Sequence, residues 1–186
     1  LILQVDRVGA SGIGEFALTG RAGLSGAARL ICIVMCSYFA SRRNGNNMIP
    51  KLYQHYFIDK QDERRELFSV LFKNFSIKSG VYPGSFVHIT PSFYIPEMVY
   101  IDNDRRISKF FNDPSVLDYI ERNKKYDEKP KLSGIQADYT GMHDLAENYF
   151  DIMFSFYAGF ISDTCKKYLR VGGVLVVNNS HGDASL

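Results

Sequence analysis

The chain has 186 residues, with 22 Lys and Arg against 20 Asp and Glu, a formal net charge of +2; 46% of it is hydrophobic and 23% charged. That balance belongs to an ordinary globular domain with one sizeable core, and it supplies no strong field to gather nucleic acid, anionic lipid or acidic substrates from a distance. With 14 Phe and 12 Tyr the chain has enough apolar surface to offset its ordering entropy, which excludes wholesale disorder.

Cys32, Cys36 and Cys165 form neither a CxxC pair nor a zinc-binding spacing, so a reducing, cytoplasmic setting is expected. The most apolar run, 30–40, is about half the ~20 residues that a membrane-spanning helix needs. Residues 1–47 stand apart from the rest: they are rich in Gly, Ala, Ser and Arg and have few aromatics. They are expected to form a poorly structured extension or leader, with Met48 as the functional start and one domain over 48–186. A strand-like stretch at 1–8 followed by Gly9, Gly12 and Gly14 imitates a dinucleotide-binding loop. Gly20, Gly23 and Gly26 break the helix that such a loop must open, so coincidence is the better reading.

From residue 48 to 78 the apolar positions recur at helical spacing: Leu52, Tyr53, Tyr56 and Phe57, then Leu67, Phe68, Leu71, Phe72 and Phe75. This predicts a helical lead-in, its second helix opening near Asp62, Glu63 and Glu66 and closing near Lys73, in accord with the helix dipole. Ser79, Gly80, Pro83 and Gly84 predict a turn. Short apolar runs then alternate with helices. Strands are expected at 86–90, 98–102, 134–138, 149–156 and 174–177, and helices at 105–111, 115–123 and 159–169. Asp113 and Pro114 are a good N-cap and first helical residue. Lys166, Lys167 and Arg170 before Gly172 and Gly173 look like a helix end. Such alternation predicts an α/β fold, a Rossmann-like and mostly parallel sheet with helices on both faces.

In an open parallel sheet, ligands bind beyond the carboxyl ends of the strands. The residues expected there are Thr90 and Ser92, Asp102 and Asp104, Asp138 with Tyr139 and Thr140, Ser155 with Tyr157, and Asn178, Asn179, Ser180, His181 and Asp183. An acid ending the second strand can accept from a ribose diol, and one ending the third from an adenine amino group. Asp102 and Asp104 equally suit a helix cap. His88, inside an apolar run, reads as a hydrogen-bonded core histidine rather than a base. His143 with Asp138 and Asp144 is a weak metal set, and no metal is expected.

Here the sequence resembles the class I S-adenosylmethionine-dependent methyltransferases. Residues 151–177, with the turn Leu169, Arg170, Val171, Gly172 and Gly173, look like that family's fourth strand, its following helix, a Leu-Lys-Pro-Gly-Gly-like turn and the fifth strand. Val171 stands where proline is usual. The resemblance implies a Rossmann-like fold and S-adenosylmethionine as cofactor. It further implies that Asp102 holds the cofactor ribose, that Asp138 and Tyr139 hold the adenine, and that Thr90, Ser92 and Tyr157 line the transfer site. The first motif diverges, because the loop expected after 86–90 has no glycine. The chain also ends soon after the fifth expected strand, which implies truncation or a fold completed by a partner, as in a homo-oligomer. The expected function is methyl transfer to an unknown acceptor, with a non-catalytic Rossmann-like interaction module or a nucleotide-binding enzyme of other chemistry as the alternatives.

Overall fold

The computed structural model describes residues 2–8, 15–21, 48–141, 144–156 and 161–178. Seven strands form one sheet: β1 (Ile2–Val8), β2 (Glu15–Arg21), β3 (Ser79–Pro83), β4 (Glu97–Asp102), β5 (Lys131–Gln136), β6 (Phe150–Ser155) and β7 (Leu169–Asn178), in the order β2-β1-β7-β6-β3-β4-β5. The five from β3 to β7 are parallel throughout, β1 joins β7 in parallel, and β2 pairs with β1 antiparallel. The expected α/β, Rossmann-like sheet is therefore present. The helices are α1 (Lys51–Tyr53), which continues as a π-helix over Gln54–Ile58, then α2 (Arg65–Asn74), α3 (Arg106–Phe111), α4 (Pro114–Asn123) and α5 (Ile161–Cys165).

Alternation along the strands divides the core in two. Tyr82, Met98, Tyr100, Phe154 and Val176 face one side, where Phe68 and Leu71 of α2, Ile107 of α3 and Ile120 of α4 cover them. Val81, Ile101, Met153, Leu175 and Val177 face the other side, under Ile161, Cys165 and Tyr168. Both faces are thus covered, as a buried parallel sheet requires.

Several expectations are corrected. The first strand of the parallel set is Ser79–Pro83, not 86–90. Gly80 lies where a Cβ would come within 2.6 Å of the Met98 sulfur and 3.0 Å of the Ile152 Cγ2, so the central strand accepts glycine there for close packing. Pro83 ends the strand, and the Gly84 N–H makes the next bond, to the Ile101 carbonyl at 2.8 Å. The apolar run 86–90 is instead a tight loop that leads into a 3-10 turn, Thr90–Phe93, and it is apolar because it is buried under the helices. The helix expected over 159–169 is limited to α5 and the 3-10 turn Lys166–Tyr168, among the described residues, and Gly172 and Gly173 lie within β7. Within 1–47, expected to lack packed structure, the described stretches are the two strands β1 and β2. The glycine motif at 9–14 lies outside the described residues.

Candidate functional site

Strand order indicates where a ligand crevice is expected. From β3 the chain passes to β4 on one side, whereas β6 packs on the other, so β3 and β6 flank a topological switch point. The loop after β3 turns sharply through Gly84 at φ 65 and Phe86 at φ 46. Asp102 ends β4 beside it. One of its oxygens, Oδ2, accepts the Phe86 N–H at 2.8 Å, and Oδ1 accepts the Asp104 N–H at 2.9 Å. A carboxylate offers about four acceptor positions, so these two bonds orient Asp102 and leave capacity for a diol. Its side chain is half-buried at the rim.

Asp104 is differently placed. Its Oδ1 accepts the Arg106 backbone N–H at 2.8 Å and the Nε–H at 2.9 Å, and its Oδ2 accepts from Nη2 at 2.7 Å. Those bonds from Arg106 hold its carboxyl down at about 2. Of the two acids weighed for capping, Asp104 makes the turn into α3, and Asp102 retains acceptor capacity.

β5 ends level with β4, Gln136 opposite Asp102, and the Ala137 N–H donates to the Asp102 carbonyl at 3.0 Å. Asp138, two residues beyond β5, therefore stands on the same rim. It is exposed, and its Oδ1 accepts both the N–H and the hydroxyl of Thr140, at 2.9 and 2.8 Å. Tyr139 is half-buried against the cluster under α5, and its carbonyl accepts from the Cys165 thiol at 3.5 Å.

Thr90 and Ser92 are elsewhere. Both are buried on the helix side, in the 3-10 turn rather than at a strand end. The Tyr53 hydroxyl gives its proton to the Glu63 carboxylate at 2.6 Å, so the Thr90 hydroxyl donates to Tyr53 at 2.7 Å. Ser92 Oγ pairs with the Tyr100 hydroxyl at 2.6 Å. These contacts join the turn to the core instead of opening it to a ligand. Tyr157, His143, Asn179, Ser180, His181 and Asp183 lie outside the described residues. Ser155, at the end of β6, is buried, and Asn178, ending β7, donates to the Phe156 carbonyl at 2.6 Å.

His88 is fully buried, as read from the sequence. Its Nε2 faces the Glu63 carbonyl at 3.1 Å, which can only accept, so Nε2 carries the proton and Nδ1 accepts from the Tyr82 hydroxyl at 3.0 Å. Burial pushes its pKa down to about 3, and the ring stays neutral.

The helical lead-in supplies part of the rim that sequence reasoning missed. Tyr56 meets Phe86 edge-on at 4.9 Å, and the Arg106 guanidinium lies 4.5 Å over Phe86 and 5.4 Å over Tyr56. Arg64, in a left-handed conformation at φ 54, lays its guanidinium 4.6 Å over Phe156, just past β6. No periodicity in the sequence signals contacts between residues so far apart. Among the described residues, no helix is long and apolar enough to cross a membrane.

No protein-family model matches the chain, and no curated protein matches it. Solved structures do. A protein of Corynebacterium glutamicum aligns at 15% identity and TM-score 0.42, over 61% of this chain and 56% of its own. The sugar N-methyltransferase of a Streptoalloteichus species aligns at 15% and 0.39, over 78% and 59%. An S-adenosylmethionine-dependent methyltransferase, so described as putative, from Methanococcus maripaludis aligns at 14% and 0.45, over 76% and 68%. The chain thus spans little more than half the length of the first two.

Proposed function

We propose that the chain is an S-adenosylmethionine-dependent, methyltransferase-like protein acting on an unidentified acceptor. The observation that supports this most is Asp102: an oriented carboxylate with spare acceptor capacity, 18 positions after Gly84, ending the strand beside the switch point. A ribose-binding acid sits at about that interval in dinucleotide-binding sheets. The acceptor set suits a nucleoside. Asp102 would accept from the ribose hydroxyls, Asp138 from the adenine amino group with Tyr139 beside it, and Tyr157 would line the transfer site. When bound, the cofactor supplies an electrophilic sulfonium methyl group, so the protein's share is to orient the donor, hold the acceptor in line and exclude water. Thr90 and Ser92, bonded to Tyr53 and Tyr100, would support the rim from within the core rather than touch the cofactor.

Calorimetric titration with S-adenosylhomocysteine and, separately, with NAD tests the reading. Heat with the first and none with the second is expected. Asp102→Asn is expected to weaken binding about 10- to 100-fold, the scale of one or two hydrogen bonds to a charged group. No heat with either ligand overturns the proposal, and heat with NAD alone assigns the crevice to another nucleotide chemistry.

A further inference from the structure

Both amides that orient Asp102 belong to residues held by one side chain. The Phe86 N–H binds Asp102 Oδ2 at 2.8 Å, and the Phe86 ring lies 4.5 Å beneath the Arg106 guanidinium. The Asp104 N–H binds Asp102 Oδ1 at 2.9 Å, and the two Asp104 oxygens take Nε and Nη2 of the same guanidinium at 2.9 and 2.7 Å. The remaining arm, Nη1, donates to the Tyr56 hydroxyl at 3.1 Å, which ties the fork to the helical lead-in. Phe86 adopts a left-handed backbone, φ 46, that a bulky residue occupies only when its surroundings hold it there.

From this convergence we infer that Arg106 is a positioning residue: through Phe86 and Asp104 it sets the orientation of the Asp102 carboxylate, without itself touching a ligand. The inference rests on the reading of Asp102 as the ribose-binding acid. The chemistry favours a fork. A planar guanidinium satisfies both oxygens of Asp104 and stacks on Phe86 at once, which a lysine ammonium cannot do. The pair is also half-exposed, 46% for Arg106 and 28% for Asp104. Exposed ion pairs add little to global stability, so the effect of removing this one belongs to local geometry.

The test uses Arg106→Gln and Arg106→Lys in the full chain. Amide hydrogen exchange at Phe86 and Asp104 is expected to rise at least tenfold in Arg106→Gln, with the urea midpoint unchanged and a smaller rise in Arg106→Lys. Unchanged exchange at both amides overturns the inference. In the same variant, affinity for S-adenosylhomocysteine is expected to fall about tenfold, while affinity for its 2′,3′-dideoxy analogue stays the same. Equal losses for the two ligands overturn the inference, because they mark a general structural role. A wild-type protein that binds neither ligand, while Arg106→Gln still frees both amides, upholds Arg106 as the group that orients Asp102 and rejects the methyl-donor reading alone.

Discussion

Ser79 and Asp151, 72 residues apart in the chain, exchange hydrogen bonds in both directions: Asp151 Oδ2 accepts the Ser79 N–H at 2.9 Å and its hydroxyl at 3.2 Å, and the Asp151 N–H donates to Ser79 Oγ at 3.2 Å. The same oxygen takes the Lys78 N–H at 2.8 Å, and Oδ1 receives Arg170 Nε at 2.7 Å. One carboxylate thereby joins the amino ends of β3, β6 and β7. It lies at the opposite end of the strands from Asp102, so the switch point is fastened at its back.

Loss of that carboxylate is expected to cost stability and spare binding. Asp151→Ala removes three bonds to backbone and hydroxyl donors and one to a cation, at a site 15% exposed. A loss of about 2–4 kcal/mol in urea unfolding follows from the usual range for charge-assisted bonds, given that the exposed Lys78 N–H and Arg170 can return to water. Asp151→Asn, which keeps one acceptor, is expected to lose less. A drop in S-adenosylhomocysteine affinity without a drop in stability would place this carboxylate in a different role.

Stability is expected to depend on pH through His88. Its folded pKa, depressed by burial to about 3, lies below the unfolded value of about 6.5, so below pH 6.5 the unfolded chain binds the extra proton. This contribution is constant above about pH 7 and is lost as pH falls toward 3, at up to about 1.4 kcal/mol per pH unit. Between pH 6.5 and 5 few carboxylates titrate, so comparing urea unfolding of the wild type with that of a His88 variant in that window separates His88 from the other three histidines. His88→Gln is expected to flatten the slope there; an unaltered slope would assign it to other groups.

Part of the sheet was legible because the strands on either side of β3 follow simple patterns. Glu97–Asp102 and Phe150–Ser155 are apolar runs that end in polar residues, and α4 begins at the Asp113 and Pro114 signal, with the Asp113 carboxylate accepting the Ser115 N–H at 2.9 Å. The central strand was not legible. Ser79, Gly80 and Pro83 are turn formers, and they fit a strand only because Met98 and Ile152 fill the space at Gly80 and Gly84 resumes the hydrogen bonding after Pro83. That misplacement also misassigned the first loop: it carries Gly84, and Thr90 and Ser92 are not at its mouth. Asp102 and Asp138 could be placed near one rim of the sheet because acids after apolar runs mark strand ends. Arg106 was not singled out, because its importance depends on Phe86 and Tyr56 meeting it in space.

Gly134 is expected to tolerate no side chain. It pairs with Tyr100 across β4 and β5, and the Phe111 ring, stacked on Tyr100 at 4.9 Å, occupies the place where a Gly134 side chain would project. A methyl group there would overlap the Phe111 ring and its Cβ, so rotating the ring alone does not clear it. Gly134→Ala is expected to destabilise by about 1–3 kcal/mol in denaturant unfolding, the range for overpacked cores. Combining it with Phe111→Ala, which removes the two ring atoms nearest that methyl group, should recover part of that loss beyond additivity, and strictly additive changes would show that the two sites do not compete for the same space.

Tyr53 gives the sharpest contrast between structural and ligand roles on the helix side. Its ring is buried between Phe57, at 5.8 Å, and Phe93, at 6.1 Å, while its hydroxyl gives a proton to Glu63 and accepts one from Thr90. Tyr53→Phe keeps the packing but deprives both partners. Glu63 still has Arg65, at 2.8 Å, whereas the buried Thr90 hydroxyl loses its acceptor, so a cost of about 1–3 kcal/mol is expected. Thr90→Val removes the other end of the same bond, and the double variant should cost less than the sum of the two single ones. Neither change is expected to move the S-adenosylhomocysteine dissociation constant by more than about twofold, well under the tenfold step that 1.4 kcal/mol represents. If Thr90→Val instead abolished binding and left the unfolding midpoint unchanged, the Thr90 hydroxyl would face the ligand, and the assignment of that turn to the core would fail.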